Sequence, residues 1–311
     1  MELRKLGTTG IETAPLVLGG NVFGWTADKT ASYAILDRFL DAGFNAIDTA
    51  DVYSIFVPGH SGGESETVMG EWMKDRGNRD KVTIITKGGL QMGEGLKGLS
   101  RDYLKRACEA SLRRLQTDHI DVYMSHRADP AVPIEETLDA FQELIDEGKV
   151  RFAGASNYTA EELDEALKAG GHGRARYEVF QPHYNLAERS LYEGATEALC
   201  AKHKLGVITY FSLAAGFLTG KYRSKADIEG KARAMSAGPY MNERGFALLD
   251  AMEGVAARHG ATLAQVALAW LMARPSVSAP IASATSLAQL DDILKSADLE
   301  LTPQDLAELN L

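Results

Sequence analysis

Eight short apolar runs recur along the chain, nearly all separated by segments long enough for a helix. They are PLVLGG (15–20), FNAID (44–48), KVTIITK (81–87), HIDVYMSH (119–126), VRFAGASN (150–157), YEVFQ (177–181), GVITYFS (206–212) and VSAPIASA (277–284). Several are continuous and rich in β-branched residues, which suits strands buried on both faces of a parallel sheet. Parallel neighbours need long crossovers, and the intervening segments supply them.

Those segments carry helical signals. TASYAILDRFLDAG (30–43) sets Tyr33, Leu36, Phe39 and Leu40 on one face. SRDYLKRACEASLRRL (100–115) opens on Ser100 as N-cap, with Asp102 in its first turn. TLDAFQELIDEGK (137–149) and SNYTAEELDEALKAGG (156–171) end on glycines suited to a C-terminal cap. Residues 192–206 and 261–275 follow the same pattern. Eight strand–helix units in 311 residues fit a (β/α)8 TIM barrel, read as one domain over 1–311. An open doubly wound sheet would announce a G-x-G-x-x-G turn after its first strand, and LGGNVFGW does not have that spacing. Residues 2–13 read as a short β-hairpin around Thr8-Thr9-Gly10 ahead of the barrel.

Composition narrows the function. A net charge of −10 and a pI near 5.3 disfavour a protein that tracks nucleic-acid phosphates. The N-terminal MELRKLGTTG lacks the apolar core of a signal peptide. No stretch approaches the roughly 18 apolar residues of a membrane span. Cys108 and Cys200 lie far apart in helix-like segments, so no disulfide framework is implied and a cytoplasmic setting is expected. No HExxH or CxxC spacing occurs, so no metal site is expected.

In such a barrel the chemistry gathers where the strands end. The second strand ends in Asp48, followed by Tyr53. The third ends in Lys87, the fourth in Ser125-His126, the fifth in Ser156-Asn157 and the sixth in Gln181. The seventh ends near Tyr210 and the eighth near Ser283-Ala284-Thr285. Each alone has a structural reading as a cap, a turn residue or a solvated terminus; Asp51 reads as a turn residue. An acid, a phenol, a lysine and a histidine on one rim together make a proton-transfer site. A phenol ionises near pH 10, and a nearby ammonium stabilises the phenolate. A carboxylate offsets the burial of that ammonium. A histidine can share charge developing on a substrate oxygen. Tyr53, Lys87, Asp48 and His126 fill these roles.

The motifs DTADVY (48–53), ITKGG (85–89), DVYMSH (121–126), GASN (154–157), Gln181 with YNL (184–186), and GFLTGKY (216–222) resemble the aldo-keto reductases. They follow that family's order over nearly the whole chain. The likeness is nearest to the bacterial reductases and the potassium-channel β-subunit-like branch. It implies NADP(H) bound without a Rossmann domain, and a catalytic tetrad at Asp48, Tyr53, Lys87 and His126. It implies that Ser156, Asn157 and Gln181 hold the nicotinamide carboxamide and that Tyr210 stacks on the ring. It implies pyrophosphate contacts between Leu213 and Lys221, including Gly216, and at the helix after the eighth strand, near Ser283, Thr285, Ser286 and Gln289. Ser286 stands where the family often places an arginine on the 2′-phosphate, which leaves NAD(H) as the alternative cofactor. Lys221, Arg223, Lys225, Lys231 and Arg233 either cover a cofactor or form a solvated loop.

The pocket is expected in NVFGW (21–25) and SIFVPGHSGGESE (54–66), with Trp25, Phe23 and Phe56 as its walls. Arg127 either faces an acidic substrate group or pairs with Asp129. The activity expected is interconversion of small carbonyl compounds and alcohols; the alternative is a cofactor-binding regulatory subunit with slow turnover. Oligomeric state is not legible.

Overall fold

The computed structural model describes residues 1–230 and 234–310. The basic residues Lys231 and Arg233, and the side chain of Lys225, lie outside the described residues.

A two-stranded antiparallel hairpin comes first, β1 (Arg4–Lys5) with β2 (Glu12–Thr13). Eight parallel strands follow: β3 (Val17–Gly19), β4 (Ala46–Asp48), β5 (Thr83–Gly88), β6 (Ile120–Ser125), β7 (Val150–Ser156), β8 (Tyr177–Gln181), β9 (Gly206–Thr209) and β10 (Ala279–Ala282). They close into a barrel in sequence order, with β10 returning to pair with β3. The expected strands are all present but shorter at several C-terminal ends. The run 206–212 stops as a strand at Thr209, because the chain then turns through Phe211 with φ of 53°.

Helices α1 (Lys29–Asp41), α2 (Glu64–Arg76), α3 (Arg101–Leu115), α4 (Ile134–Asp146), α5 (Ala160–Ala169) and α6 (Ala195–His203) lie between successive strands. After β9 come α7 (Lys225–Ile228), α8 (Ala234–Ala237), α9 (Glu243–His259) and α10 (Leu263–Met272), and after β10 come α11 (Leu287–Leu294) and α12 (Pro303–Glu308). The α5 segment starts later than its sequence pattern, because Thr159 is its N-cap, in a capping box with Glu162. Ser100 sits at the start of α3 but makes no side-chain cap bond; the Arg101 N–H instead donates to Glu136 Oε1 at 3.0 Å.

Two apolar layers hold the barrel. Val17, Ala46, Ile85, Val122, Met124, Val179, Ile208, Ala279 and Ile281 point inward, and Leu6 and Ile11 of the hairpin turn pack on them from below. The hairpin therefore plugs the N-terminal mouth. The alternate residues of the strands, such as Leu16, Leu18, Ile47 and Ile84, face the helices. The approach of hairpin to barrel is backbone to backbone: a Cβ on Gly206 would lie 2.7 Å from the Leu6 carbonyl carbon.

Candidate active site

Side-chain alternation sets the site. Two residues beyond the inward Ala46 comes Asp48; beyond Ile85, Lys87; beyond Met124, His126; beyond Val179, Gln181; beyond Ile208, Tyr210; beyond Ile281, Ser283. Period two thus carries the apolar interior into a polar rim at the C-terminal mouth. Asp48, Lys87, His126, Gln181, Tyr210 and Ser283 come together because they share one face of one closed sheet, whereas Ser125 points to the helix side and bonds the Tyr177 hydroxyl.

Asp48 is the hub. Its Oδ1 accepts from Lys87 Nζ at 2.6 Å and from Gln181 Nε2 at 2.7 Å, and its Oδ2 accepts from the Tyr53 hydroxyl at 3.2 Å. Lys87 is fully buried and also donates to the Thr49 carbonyl at 2.6 Å. Its ammonium lies 5.0 Å from the Tyr53 ring centroid. Burial lowers the Lys87 pKa, while Asp48 opposes that shift. Burial, then the Asp48 charge and hydrogen bond, raise the Tyr53 phenol well above its ordinary value. The resting phenol is therefore held protonated against Asp48, not lowered by the ammonium as the bare residue types suggest. The His126 ring stands edge-on to Tyr53, centroids 6.2 Å apart. Burial, followed by the charges of Lys87 and Arg127, lowers the His126 pKa well below its ordinary value, so the imidazole is neutral at pH 7.

The residues expected around a nicotinamide form a second network. Ser156 Oγ donates to the Gln181 carbonyl at 3.0 Å. Asn157, at φ of 57°, donates to the His126 carbonyl at 2.9 Å and accepts from the Tyr210 hydroxyl at 2.6 Å. Both ends of the Asn157 amide are thereby engaged, and Tyr210 is tethered. Gln181 joins this network to Asp48, a link between positions far apart in sequence that no local signal announces.

After β9 the backbone runs through Ala214, Ala215 and Gly216 with φ of 49°, 55° and 94°. Left-handed alanines are strained, by roughly 1–3 kcal/mol each, and such strain concentrates at functional loops. Leu213 caps this turn and is partly buried. Lys221 lies across Gly216: a Cβ there would fall 2.9 Å from its Nζ. Arg223 pairs with Asp250 at 2.9 Å and with Glu253, so it is held on α9. At the last strand, Ser283 Oγ donates to Asn21 Oδ1 at 2.5 Å. Ser286 is the N-cap of α11, accepting from the Gln289 N–H at 3.3 Å. Gln289 Oε1 in turn accepts from the Thr285 N–H at 2.9 Å and from its hydroxyl at 3.1 Å.

Trp25 and Phe56 meet edge to face with centroids 4.9 Å apart, and Phe56 is 66% exposed. Phe23 does not join them. It is fully buried and packs in the core between barrel and helices. The Asp129 carboxylate accepts from the Leu99 and Ala131 N–H groups, and no ion pair joins it to Arg127 among the described residues. Cys108 and Cys200 are free and buried. Among the described residues no His/Cys/Asp/Glu cluster could hold a metal, and no helix is long and apolar enough to cross a membrane.

The closed parallel barrel thus carries Asp48, Lys87, Tyr53 and His126 together at its C-terminal mouth. The sequence model of the aldo/keto reductase family matches residues 15–310, and the chain belongs to that family. A probable voltage-gated potassium channel subunit beta of Oryza sativa subsp. japonica is 34% identical, over 98% of this chain and 94% of the relative. The uncharacterised oxidoreductase YrpG of Bacillus subtilis is 33% identical over 100% and 95%, and the aldo-keto reductase YhdN of the same organism 31% over 100% and 93%. Members of this family are NAD(P)H-dependent oxidoreductases acting on small carbonyl compounds.

Proposed function

We propose that this chain is an NADP(H)-dependent oxidoreductase that interconverts aldehydes or ketones and alcohols, with Tyr53 as general acid and base. The observation that carries this reading is the convergence of Tyr53 and Lys87 on the one carboxylate of Asp48, with His126 beside Tyr53. A bound nicotinamide would supply a hydride to the carbonyl carbon, or take one from the alcohol carbon in the reverse direction. In the reductive direction the Tyr53 hydroxyl turns from Asp48 to the carbonyl oxygen and gives up its proton there. A phenol so weakly acidic donates only as negative charge builds on that oxygen, which ties proton transfer to the reaction itself. The Lys87 ammonium, held by Asp48 and Thr49, then faces the phenolate. Neutral His126 offers one N–H to the same oxygen without adding a charge. Trp25 and Phe56 form the apolar wall of the substrate pocket.

The cofactor-holding residues fit a dinucleotide. Tyr210, tethered through its hydroxyl to Asn157, supplies an aromatic ring next to the Ser156–Asn157 segment. Among the described residues the Gln181 amide oxygen accepts no hydrogen bond, which leaves it for a carboxamide N–H. Beyond these, the strained 213–216 turn, the Lys221 ammonium over Gly216, and the N-terminus of α11 with Ser283, Thr285, Ser286 and Gln289 suit phosphates. Ser286 offers a hydroxyl where an arginine would grip a 2′-phosphate as a fork. We assign NADP(H) on the family pattern with Lys221 supplying charge, and NAD(H) as the alternative. KM values for both reduced cofactors check this, with NADPH expected to bind tighter; a clear preference for NADH overturns it.

Tyr53→Phe is expected to cut aldehyde turnover by about 10²–10⁴-fold. Quenching of protein fluorescence by NADPH should persist in that variant. Ordinary turnover by it refutes the role of Tyr53. The second reading, a regulatory subunit with slow turnover, draws on the name of the rice relative. It predicts tight cofactor binding with little steady-state oxidation of NADPH by any aldehyde in a broad screen.

A further inference from the structure

Beside β5 lies a buried acid that this chemistry does not use. Asp51 is 1% exposed, and neither carboxyl oxygen has a hydrogen-bond partner among the described residues. Its backbone N–H donates to the Lys87 carbonyl at 3.0 Å, so it is fixed directly to the residue that carries the buried ammonium. The Tyr123 hydroxyl is a second unpartnered buried group, and both face Gly88. A Cβ on Gly88 would fall 2.2 Å from Tyr123 Oη and 3.4 Å from Asp51 Oδ2. Gly88 has no side chain where the Tyr123 hydroxyl sits, so Tyr123 and Asp51 both pack against the backbone next to Lys87.

The surrounding charges are already matched. On α2, Glu66 is fully buried and accepts from Thr86 Oγ1 at 2.6 Å and from Arg114 Nε, on α3, at 2.7 Å. On β5, Lys87 is paired with Asp48. The other titratable groups facing Asp51 are phenols: Tyr53 from its own loop, Tyr103 from α3 and Tyr123 from β6. Two cations and two carboxylates cancel, and a third carboxylate in this space has no counter-ion. A buried carboxyl in that position keeps its proton. Burial, then the charge of Glu66, pushes the Asp51 carboxyl up to about 8, with Arg114 and Lys87 opposing.

We propose that Asp51 is a proton-bearing positioning residue: as a neutral acid it keeps the space beside Lys87 free of charge, and losing its proton to solvent in mild alkali slows the reaction at Tyr53. The proposal rests on the proton-transfer role given to Tyr53 above. Once ionised, Asp51 adds negative charge that acts on both Tyr53 and Lys87. The phenolate left after proton donation becomes harder to form. In the oxidative direction the base becomes scarcer at a given pH. Both directions lose rate.

The test has two arms. The first is kcat against pH for the wild type and Asp51→Asn, with NADPH and an aromatic aldehyde. Asparagine keeps the shape and cannot ionise. The wild type is expected to fall about tenfold from its plateau one pH unit above the carboxyl midpoint, and Asp51→Asn less than about twofold at that pH. The second arm is the infrared carbonyl band of a protonated carboxyl, present in the wild type at pH 7 and absent from the variant, fading over the same pH range as the rate. Should the variant fail to fold, carboxyl-¹³C aspartate labelling of the wild type reads the same titration. Identical pH–rate profiles, or no protonated carboxyl at pH 7, overturn the proposal. An inactive chain whose Asp51 still titrates would sink the reductase reading instead, and with it the rate effect.

Discussion

At the residue scale, Asp48 decides most. It accepts from an ammonium, an amide and a phenol at once. Breaking a buried ion pair by removing one partner costs about 3–5 kcal/mol, because the other charge stays buried. Asp48→Asn is therefore expected to destabilise the fold by that order, and Asp48→Asn with Lys87→Met to recover most of the loss. Urea unfolding of both variants checks this; a double variant no more stable than Asp48→Asn alone would refute it. The residue types of this group were legible at the strand ends, since an acid closing an apolar run marks where a strand stops. The Gln181 amide donating to Asp48 was not, because nothing local signals a contact between two strands so far apart in the chain. Asp51 lies in a turn, as the sequence suggests, but its burial was not legible. An acid in a turn is normally solvated, and only the packing of α2 and α3 over this loop removes the water.

At the element scale, the strands were readable because their apolar runs are short and continuous, while α2 was not. Its segment opens with Gly63 as N-cap, without a side-chain cap bond, and turns Ser65 and Glu66 inward, so its buried face does not look apolar. α2 also carries a glycine in mid-helix. A Cβ on Gly70 would lie 2.1 Å from the Arg114 carbonyl oxygen, at the C-terminal end of α3. Helix propensity alone makes Gly70→Ala stabilising by about 1 kcal/mol. Contact with backbone that cannot yield opposes it, and overpacking costs about 1–3 kcal/mol or more. The steric effect wins: Gly70→Ala is expected to lower the urea midpoint, and a raised midpoint would show that α2 can slide. α9 likewise gives no sharp sequence signal at its start, which follows a loop rich in basic residues.

At the scale of the whole molecule, pH acts through groups whose folded and unfolded affinities for protons differ. The Asp51 carboxyl is raised to about 8 in the fold, against about 4 in an unfolded chain. Between those values the folded state holds a proton that the unfolded state has released. Stability from this group therefore falls as pH rises from about 4 to about 8, by on the order of a few kcal/mol, and is flat beyond. His126 acts oppositely: its lowered pKa means that the unfolded state takes up a proton below about pH 6.5 while the folded state does not, so stability falls with acid. Asp51→Asn should thus match the wild type in melting temperature near pH 4 and exceed it near pH 8. Equal melting temperatures at both pH values would show that Asp51 is ionised in the fold.

The polar rim draws its members from separate strands: Asp48 from β4, Lys87 from β5, Gln181 from β8, with Tyr210 just past β9 and Ser283 just past β10. Asp48, Tyr53, Lys87 and His126 lie within residues 48–126, but the rest of the rim comes from β8 to β10, so no short fragment holds the whole circle. A barrel parted at any one seam still keeps most of its helices and most of its core, yet the circle of side chains is broken. Turnover in this molecule is in that sense a gauge of closure. It should vanish at the first parting of the ring, ahead of any signal that merely counts helix.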